Sequence, residues 1–330
     1  MLIRRFADRI IRKGLIAMKL VAPDYYPQFR CIADRCRHSC CIGWEIDIDE
    51  DTRAFYETVE GDFGRELAAN IEDGETPHFR LGQNERCPFL DERNLCRIIT
   101  NLGEDALCGI CADHPRFRSF FDSRTEIGLG LCCEAAAELI LGQSRPVTLV
   151  TLEDDGSGEF SENEEGFFAM REDIFRTLQA RSMSVDDRIE AVLSRHGAAL
   201  PSKSPAGWAE IYRSLERLDP AWDGMLNRLS ACVEMGSCLS ETVQEQLLVY
   251  FVFRHLSESL YDGMLRQRIA FAVLSTRMID AICTATGESA CEIARMYSSE
   301  IEYSDENIAL LLGGQLSKLD HFHAGFHGHQ

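Results

Sequence analysis

The sequence predicts a mainly α protein, in which a cysteine-rich, metal-binding N-terminal module with short strands precedes a helical C-terminal domain. Three observations lead there. Ten of the fourteen cysteines lie between Cys31 and Cys133. From Phe167 onward, apolar residues recur at three- and four-residue spacing, the period of helices that bury one face. Pro201, Pro205, Pro220 and Gly236 punctuate that periodicity into separate helices. A chain of 330 residues has room for two domains. The expected divisions are a basic extension over 1–22, a cysteine-rich metal-cluster domain over 23–150, an acidic linker over 151–166, and a helical domain with a His-rich tail over 167–330.

Leu2, Ile3, Phe6, Ile10, Ile11, Leu15 and Ile16 form a helical stripe in the basic extension. The stretch lacks a small-residue cleavage site, so it does not read as a secretory signal. Residues 1–17 carry a charge of +4. They read as a surface-binding helix or as a segment preceding a natural start at Met18. Within the module, Trp44–Asp49 alternates apolar and polar residues and predicts a short strand. Residues 51–73 predict helices broken near Gly61 and Gly64, and residues 78–98 predict two extended arms around a turn at Asp91–Asn94. Further helices are expected over 103–112 and 131–142. Seven acids between Glu153 and Gly166 read as a solvated linker. The helical half divides into segments near 167–181, 184–198, 205–217, 221–235, 241–260, 264–287, 289–299 and 304–312. The tail HFHAGFHGHQ reads as a frayed terminus with loose affinity for nickel or zinc.

A net charge of −20 sets the chain against a nucleic-acid partner. It is compatible with a Lys-rich substrate, although a charge that serves solubility is the simpler reading. The longest wholly apolar run, Leu247–Phe253, falls far short of the roughly 18–20 residues that a bilayer requires, so no stable membrane insertion is expected. With no export signal the expected location is cytoplasmic and reducing, where clustered cysteines mean metal or catalysis rather than disulfides.

The cysteines fall into groups: Cys31, then Cys36-x3-Cys40-Cys41, Cys87-x8-Cys96, Cys108-x2-Cys111 and Cys132-Cys133. Thiolates are soft anionic ligands suited to zinc and iron–sulfur clusters, and chain-local pairs lower the entropic cost of assembling a site. Cys108-x2-Cys111 alone says little, because redox motifs share that spacing; five groups within about a hundred residues say much more. Zinc sites commonly pair two C-x2-4-C halves, often with histidine. Only one such half is present, and His38, His78 and His114 lack ligand spacing. Pro88 follows Cys87 as prolines follow cluster cysteines in ferredoxins. Composition therefore favours an iron–sulfur cluster over zinc. A radical enzyme would show C-x3-C-x2-C, and Gly43 occupies the third position of that pattern.

The strings YYPQFRCIADRCRHSCCIGWEIDID, CPFLDERNLCRI, LGEDALCGICADHPRF and GLCCEAAAELIL occur in this order. Together they resemble the flagellin lysine-N-methylase family. LLVYFVFRHL and SSEIEYSDEN resemble its helical half. A related pattern occurs in small zinc- or iron-chelating domains, which keeps a non-enzymatic metal-binding module or electron carrier as the alternative. The resemblance implies S-adenosylmethionine-dependent methylation of lysine side chains on flagellin, together with an iron–sulfur cluster of the 4Fe-4S kind. Its implied ligand candidates are Cys36, Cys40, Cys41, Cys87, Cys96, Cys108, Cys111 and Cys132, twice the four that such a cluster needs. Cys133 stands where relatives carry proline and His114 where they carry tyrosine, which weakens Cys133 as a ligand.

No glycine-rich strand–turn–helix fingerprint marks a nucleotide-type cofactor site. Gly128-Leu129-Gly130 reads as a helix-entry turn or a close approach of backbone to ligand. Pro115-Arg116 reads as a carboxylate holder or a support for the cysteine loop. Candidate cofactor-binding groups in the helical half are Arg254, His255, Glu302, Tyr303 and Asp305. Arg254 and His255 have an interhelical hydrogen-bonding role as their simpler reading. For the last three, gripping an ammonium group competes with a helix N-cap at Ser304 or Asp305.

Overall fold

A computed structural model describes residues 19–316 except 44, 75 and 160. The basic stripe before residue 19 and the His-rich tail lie outside the described residues. The contacts divide the chain into two units, one built on 30–116 and the other on 17–29 together with 117 onward.

The described chain opens on β1 (Lys19–Pro23), which belongs to the larger unit, and then enters the smaller one. There Asp49 caps helix α1 (Glu50–Glu57) by accepting the Thr52 N–H at 2.9 Å. Helix α2 (Gly61–Ala69) follows after a turn in which Gly61 takes a φ of +83°, a conformation that favours glycine. A Cβ on Gly64 would stand 1.8 Å from the Val59 carbonyl oxygen, so the break in this helical stretch depends on both glycines. Strands β2 (Ile71–Glu72) and β3 (His78–Phe79) pair antiparallel, with Ile71 opposite Phe79. Leu90 bridges to Cys96 around the turn Asp91–Asn94, as the pattern of residues 78–98 predicts. Helices α3 (Arg97–Leu102) and α4 (Gly109–Asp113) complete the unit. The helix expected over 103–112 is instead split, because Gly103 at φ +94° ends α3 and a 3-10 turn at Glu104–Ala106 intervenes. The core comprises Ile46, Ile48, Tyr56, Leu67, Phe79, Phe89 and Ile98. The alternation that predicts a strand at 44–49 buries Ile46 and Ile48 there, and the described residues pair through an isolated bridge from Asp47 to His78.

In the larger unit, β4 (Arg116–Phe120) and β5 (Thr125–Leu129) precede α5 (Glu134–Leu141) and β6 (Leu149–Asp154). The sheet order is β4-β5-β1-β6, with β1 parallel to β5 and antiparallel to β6. Leu20 stands opposite Thr125 and Pro23 opposite Leu149. The end of the expected basic extension is thus an inner strand, with Val21 and Ala22 buried. The acidic stretch is not uniformly linker: its first residues extend β6, and Glu162 opens helix α6 (Glu162–Leu178), capped by Ser161. Helices α7 (Val185–His196), α8 (Pro205–Arg213), α9 (Pro220–Ser230) and α10 (Glu241–His255) follow. They match the predicted segments to within a turn or so, and each starts at a Ser or Asp whose side chain accepts a backbone N–H. After α11 (Ser259–Asp262) come α12 (Leu265–Thr286), α13 (Ala290–Tyr297), a π-helical turn at Ser298–Glu302, and α14 (Asp305–Leu310).

Every residue from Leu247 to Phe253 is buried, as expected of a helix segment that is apolar all round and sits at the centre of a core. Helix α12 is long and apolar enough to cross a bilayer by length and composition, and 78% of its apolar window is buried within the protein. Buried ion pairs tie these layers together. Arg171 donates to Glu126 at 2.7 Å, and Arg188 donates to Glu245 at 2.9 Å.

Candidate functional site

Two groups of chemically active side chains stand out, one in each unit. The first is a collection of thiols. The turn that ends at α4 places Cys108 at the N-cap and Cys111 one turn on, where the two thiols hydrogen-bond to each other. Asp49 supports this turn: the carboxylate that caps α1 also accepts the Gly109 N–H at 2.8 Å. Burial would lift the Asp49 pKa, but the Gly109 and Thr52 N–H groups hold it below the ordinary carboxylate value. The Cys87 N–H donates to the Cys41 carbonyl at 2.9 Å. Cys41, Cys96 and Cys111 pack against the core in which Cys87 and Cys108 are buried.

Electrostatics reflect that crowding. Burial, with a smaller contribution from neighbouring Cys96 and Cys108, pushes the Cys87 thiol up to about 11. Cys111 is raised by its bond to Cys108, then by burial and by Cys41 and Cys87, while Cys108 is lowered as the partner that accepts. Cys87 and Cys111 thus resist ionisation unless a cation compensates them. Five soft donors, four of which would suffice, fit a soft metal or an iron–sulfur cluster in type and number. Among the described residues, however, no three His, Cys, Asp or Glu side chains stand in a metal-holding arrangement. The thiols are collected but not set in a coordination sphere.

The remaining candidate ligands are not members of that core. The Cys36 thiol donates to the His38 carbonyl at 3.2 Å. Cys40 bonds to its neighbour Cys41, which raises the Cys40 pKa, with burial adding to the effect. Cys132 belongs to the larger unit.

The second group is a polar network in that larger unit, and it joins four of the five candidates from the helical half. Tyr250 and Arg254 are four residues apart on α10 and so share a face; Arg254 Nη1 donates to the Tyr250 hydroxyl at 2.8 Å. The π-helical turn at Ser298–Glu302 aims Glu302 inward, where it is fully buried. π-Helical turns recur at functional sites. Glu302 receives two donors, the Tyr250 hydroxyl at 3.0 Å and His255 Nε2 at 2.6 Å, and forms an ion pair with Arg254 Nε at 3.2 Å. The Tyr250 oxygen also accepts the Leu131 N–H at 3.2 Å, which fills its hydrogen-bonding capacity.

Burial alone would raise the Glu302 pKa, but Arg254 and His255 reverse that and hold it at about 2. Burial keeps His255 below its ordinary value despite Glu302. Glu302 is therefore a fixed charge and a poor base.

The outward edge of the network is formed by Tyr303 and Cys132. Tyr303 is half exposed, and its hydroxyl meets Cys132 Sγ at 3.0 Å. The Arg254 guanidinium lies 4.9 Å from the Phe117 ring centroid and 5.2 Å from that of Tyr303. Gly130 makes this packing possible, since a Cβ there would stand 3.0 Å from both Arg254 Nη1 and Tyr303 Oη. Burial pushes the Cys132 thiol up to about 12, although Tyr303 and Arg254 act in the opposite direction. Asp305 stays outside the network: it is exposed in the first turn of α14, which Ser304 caps by accepting the Asn307 N–H at 3.2 Å. The capping alternative therefore describes Ser304–Asp305. Sequence reasoning missed Tyr250, Phe117 and Asp49. For Tyr250 a signal exists: a hydroxyl within an otherwise apolar run, four residues before an arginine.

Comparison with known proteins gives one consistent result. The chain is 28% identical over 137 residues to the Lysine-N-methylase of Salmonella typhimurium, covering 38% of this chain and 33% of that protein. The Lysine-N-methylase of Salmonella choleraesuis matches to the same extent. The Flagellar biosynthetic protein FliU of Salmonella muenchen is 28% identical over 134 residues, which cover 79% of its length. The match thus spans about a third of the length of the two methylases. No family model and no solved structure matches.

Proposed function

We propose that this protein transfers methyl groups from S-adenosylmethionine to lysine side chains of flagellin, in the cytoplasm, and that its thiol collection holds an iron–sulfur cluster. The observation that carries the reading is the similarity to proteins named Lysine-N-methylase, alongside one named for flagellar biosynthesis. Cys41, Cys87, Cys96, Cys108 and Cys111 would supply the cluster ligands, and their donor chemistry supports a 4Fe-4S group.

S-adenosylmethionine, when bound, supplies an electrophilic methyl group on a sulfonium. The chain's own task is then to present a neutral lysine amine in line with it, because a protonated amine has no lone pair to offer. Tyr303 is the group of the second network that faces outward, and its phenol oxygen orients an amine N–H. Cys132 holds the phenol through its hydroxyl, and the Arg254 guanidinium packs over its ring. Arg254 and Glu302 are engaged with each other and with Tyr250 and His255, so their part is positioning.

A second reading is a metal-binding module or electron carrier without methyl transfer, and it is favoured by the thiols gathering within the smaller unit alone. One experiment separates the two. The protein is purified anaerobically, analysed for iron, sulfide and zinc, and incubated with flagellin and labelled methyl donor. Label on flagellin lysine supports the methylase. An intact cluster without label supports the carrier, and one equivalent of zinc without sulfide removes the cluster.

A further inference from the structure

Four cysteines lie outside the ten of the N-terminal half, and the metal reading uses none of them. Cys238 sits on the segment between α9 and α10, and Cys283 sits in the last turn of α12. Both are thiols rather than disulfide partners, Cys238 exposed and Cys283 buried.

The segment and the helix are fastened together on either side of Cys283. Residues 231–239 are irregular, and a side chain of α12 holds them. The buried Asp280 carboxylate accepts the Cys238 N–H at 2.8 Å, the Leu239 N–H at 3.0 Å and the Ser237 hydroxyl at 2.7 Å. One turn on, Gly236 packs against Thr284, where a Cβ would stand 2.5 Å from Thr284 Cγ2. Cys283 is three residues past Asp280 and shares its face of the helix. It therefore lies between the two points at which the segment is held. Burial pushes the Cys283 thiol up to about 12, and Cys238 contributes next, ahead of Asp280 and Cys291. An accessible thiol beside a protected one is the arrangement in which an oxidant meets the first and the second resolves the product.

We propose that Cys238 and Cys283 form a reversible disulfide when the protein meets a peroxide. The Cys238 sulfur attacks a peroxide oxygen: an S–O bond forms, the O–O bond breaks, and the leaving oxygen departs as water with the thiol proton. The Cys283 sulfur then attacks the resulting sulfenic acid. The S–S bond forms, the S–O bond breaks, and the hydroxyl leaves as a second water with the Cys283 proton. Both thiols are oxidised together, and hydrogen peroxide is reduced to water. A dithiol reverses the bond by exchange. The irregular segment supplies the movement that brings the sulfurs together, so α12 need not unwind. Redox-responsive bonds of this kind are those that a reducing compartment permits. The proposal does not rest on the methylation reading.

The test is peptide mapping of the full chain after hydrogen peroxide, with free thiols alkylated before digestion. Trypsin cleaves after Arg228, Arg254, Arg277 and Arg295, which leaves Cys232 with Cys238 on one peptide and Cys283 with Cys291 on another. These two peptides should appear as a linked pair, with fragmentation placing the bond at Cys238 and Cys283, and dithiothreitol should return both thiols. Cys238→Ser should lose the linked pair altogether, since it changes an exposed side chain and keeps the backbone N–H that Asp280 holds. Cys232→Ser and Cys291→Ser should each retain it. Fragmentation of the unsubstituted chain decides the question even if a variant fails to fold. Absence of the linked pair overturns the proposal. So does a bond placed at Cys232 or Cys291, or one that survives in Cys238→Ser.

Discussion

The hydroxyl of Tyr303 and the thiol of Cys132 meet at 3.0 Å although 171 residues separate them in the chain. The turn entering α5 supplies the thiol, and the turn after the π-helical segment supplies the phenol. Their meeting marks the outward edge of a network whose inner members are fully committed to each other.

Tyr303→Phe removes only the hydroxyl from that edge. The residue is half exposed, so the expected cost in stability is below about 1 kcal/mol, the net value of a typical hydrogen bond. If Tyr303 orients the lysine amine, methyl transfer to flagellin should fall by about tenfold or more, the scale of one lost positioning contact. The same denaturation curve with unchanged methyl transfer would remove Tyr303 from the reaction.

Glu302 gives a pH prediction. Its folded pKa of about 2 lies below the ordinary 4.5, so its ionised form stabilises the fold. That contribution is fully present above pH 4.5 and is lost as pH falls toward 2. It is on the order of 3 kcal/mol. Glu302→Gln should therefore lower Tm at pH 7, and the gap from the parent should close between pH 4.5 and 2. His255 has the same sign, since burial depresses its pKa, and it adds an acid-side loss that begins nearer its ordinary 6.5. A gap between parent and variant that stays constant across the acid range would refute the assignment.

The helices of the larger unit are legible because their apolar period, serine caps and glycine stops are local signals; α7 runs from Ser184 to Gly197 on those signals alone. Less legible is what depends on pairing at a distance. Lys19–Pro23 carries too few residues to declare itself a strand, and it becomes one because Thr125–Leu129 and Leu149–Asp154 flank it. The acids at Glu153 and Asp154 read as solvated, and they are, yet their backbone completes the sheet edge. Among the site residues, the grouping of the thiols follows from their spacing. The assignment of Cys132 to a different unit does not, because chain proximity to Cys111 carries no information about which core a residue joins.

Two glycines just ahead of α5 should respond differently to alanine. A Cβ on Gly128 would stand 2.3 Å from Phe117 Cζ, and that ring is held among Arg254, Tyr250 and Phe253. Gly128→Ala should cost about 1–3 kcal/mol as overpacking. A Cβ on Gly130 meets its neighbours at 3.0–3.3 Å, which small shifts of Tyr303 and Cys132 relieve. Gly130→Ala should therefore be milder in urea denaturation than Gly128→Ala, while methyl transfer falls through the displaced phenol. Equal stability losses at the two sites would contradict this packing.

Asp49 offers a way to disturb the thiol collection without deleting a thiol. Its carboxylate holds the Thr52 N–H at 2.9 Å and the Gly109 N–H at 2.8 Å, thereby joining the start of α1 to the Cys108–Cys111 turn. Asp49→Ala loses a helix cap worth about 1 kcal/mol and leaves the Gly109 N–H without its acceptor, which adds a similar amount. Asp49→Asn keeps one acceptor oxygen, enough for the Thr52 cap but not also for the Gly109 N–H held by the second carboxylate oxygen, so it should recover the cap alone. If the cluster is held by Cys108 and Cys111, iron per protein after anaerobic purification should fall in Asp49→Ala and stay below the parent's in Asp49→Asn, which regains the helix cap but not the acceptor for the Gly109 N–H. Cys108→Ser should lose the iron outright, whereas Cys133→Ser should retain it. Full iron content in Cys108→Ser would place the ligands elsewhere, since a turn that carries two of the five gathered thiols cannot be a bystander to any cluster held by those thiols.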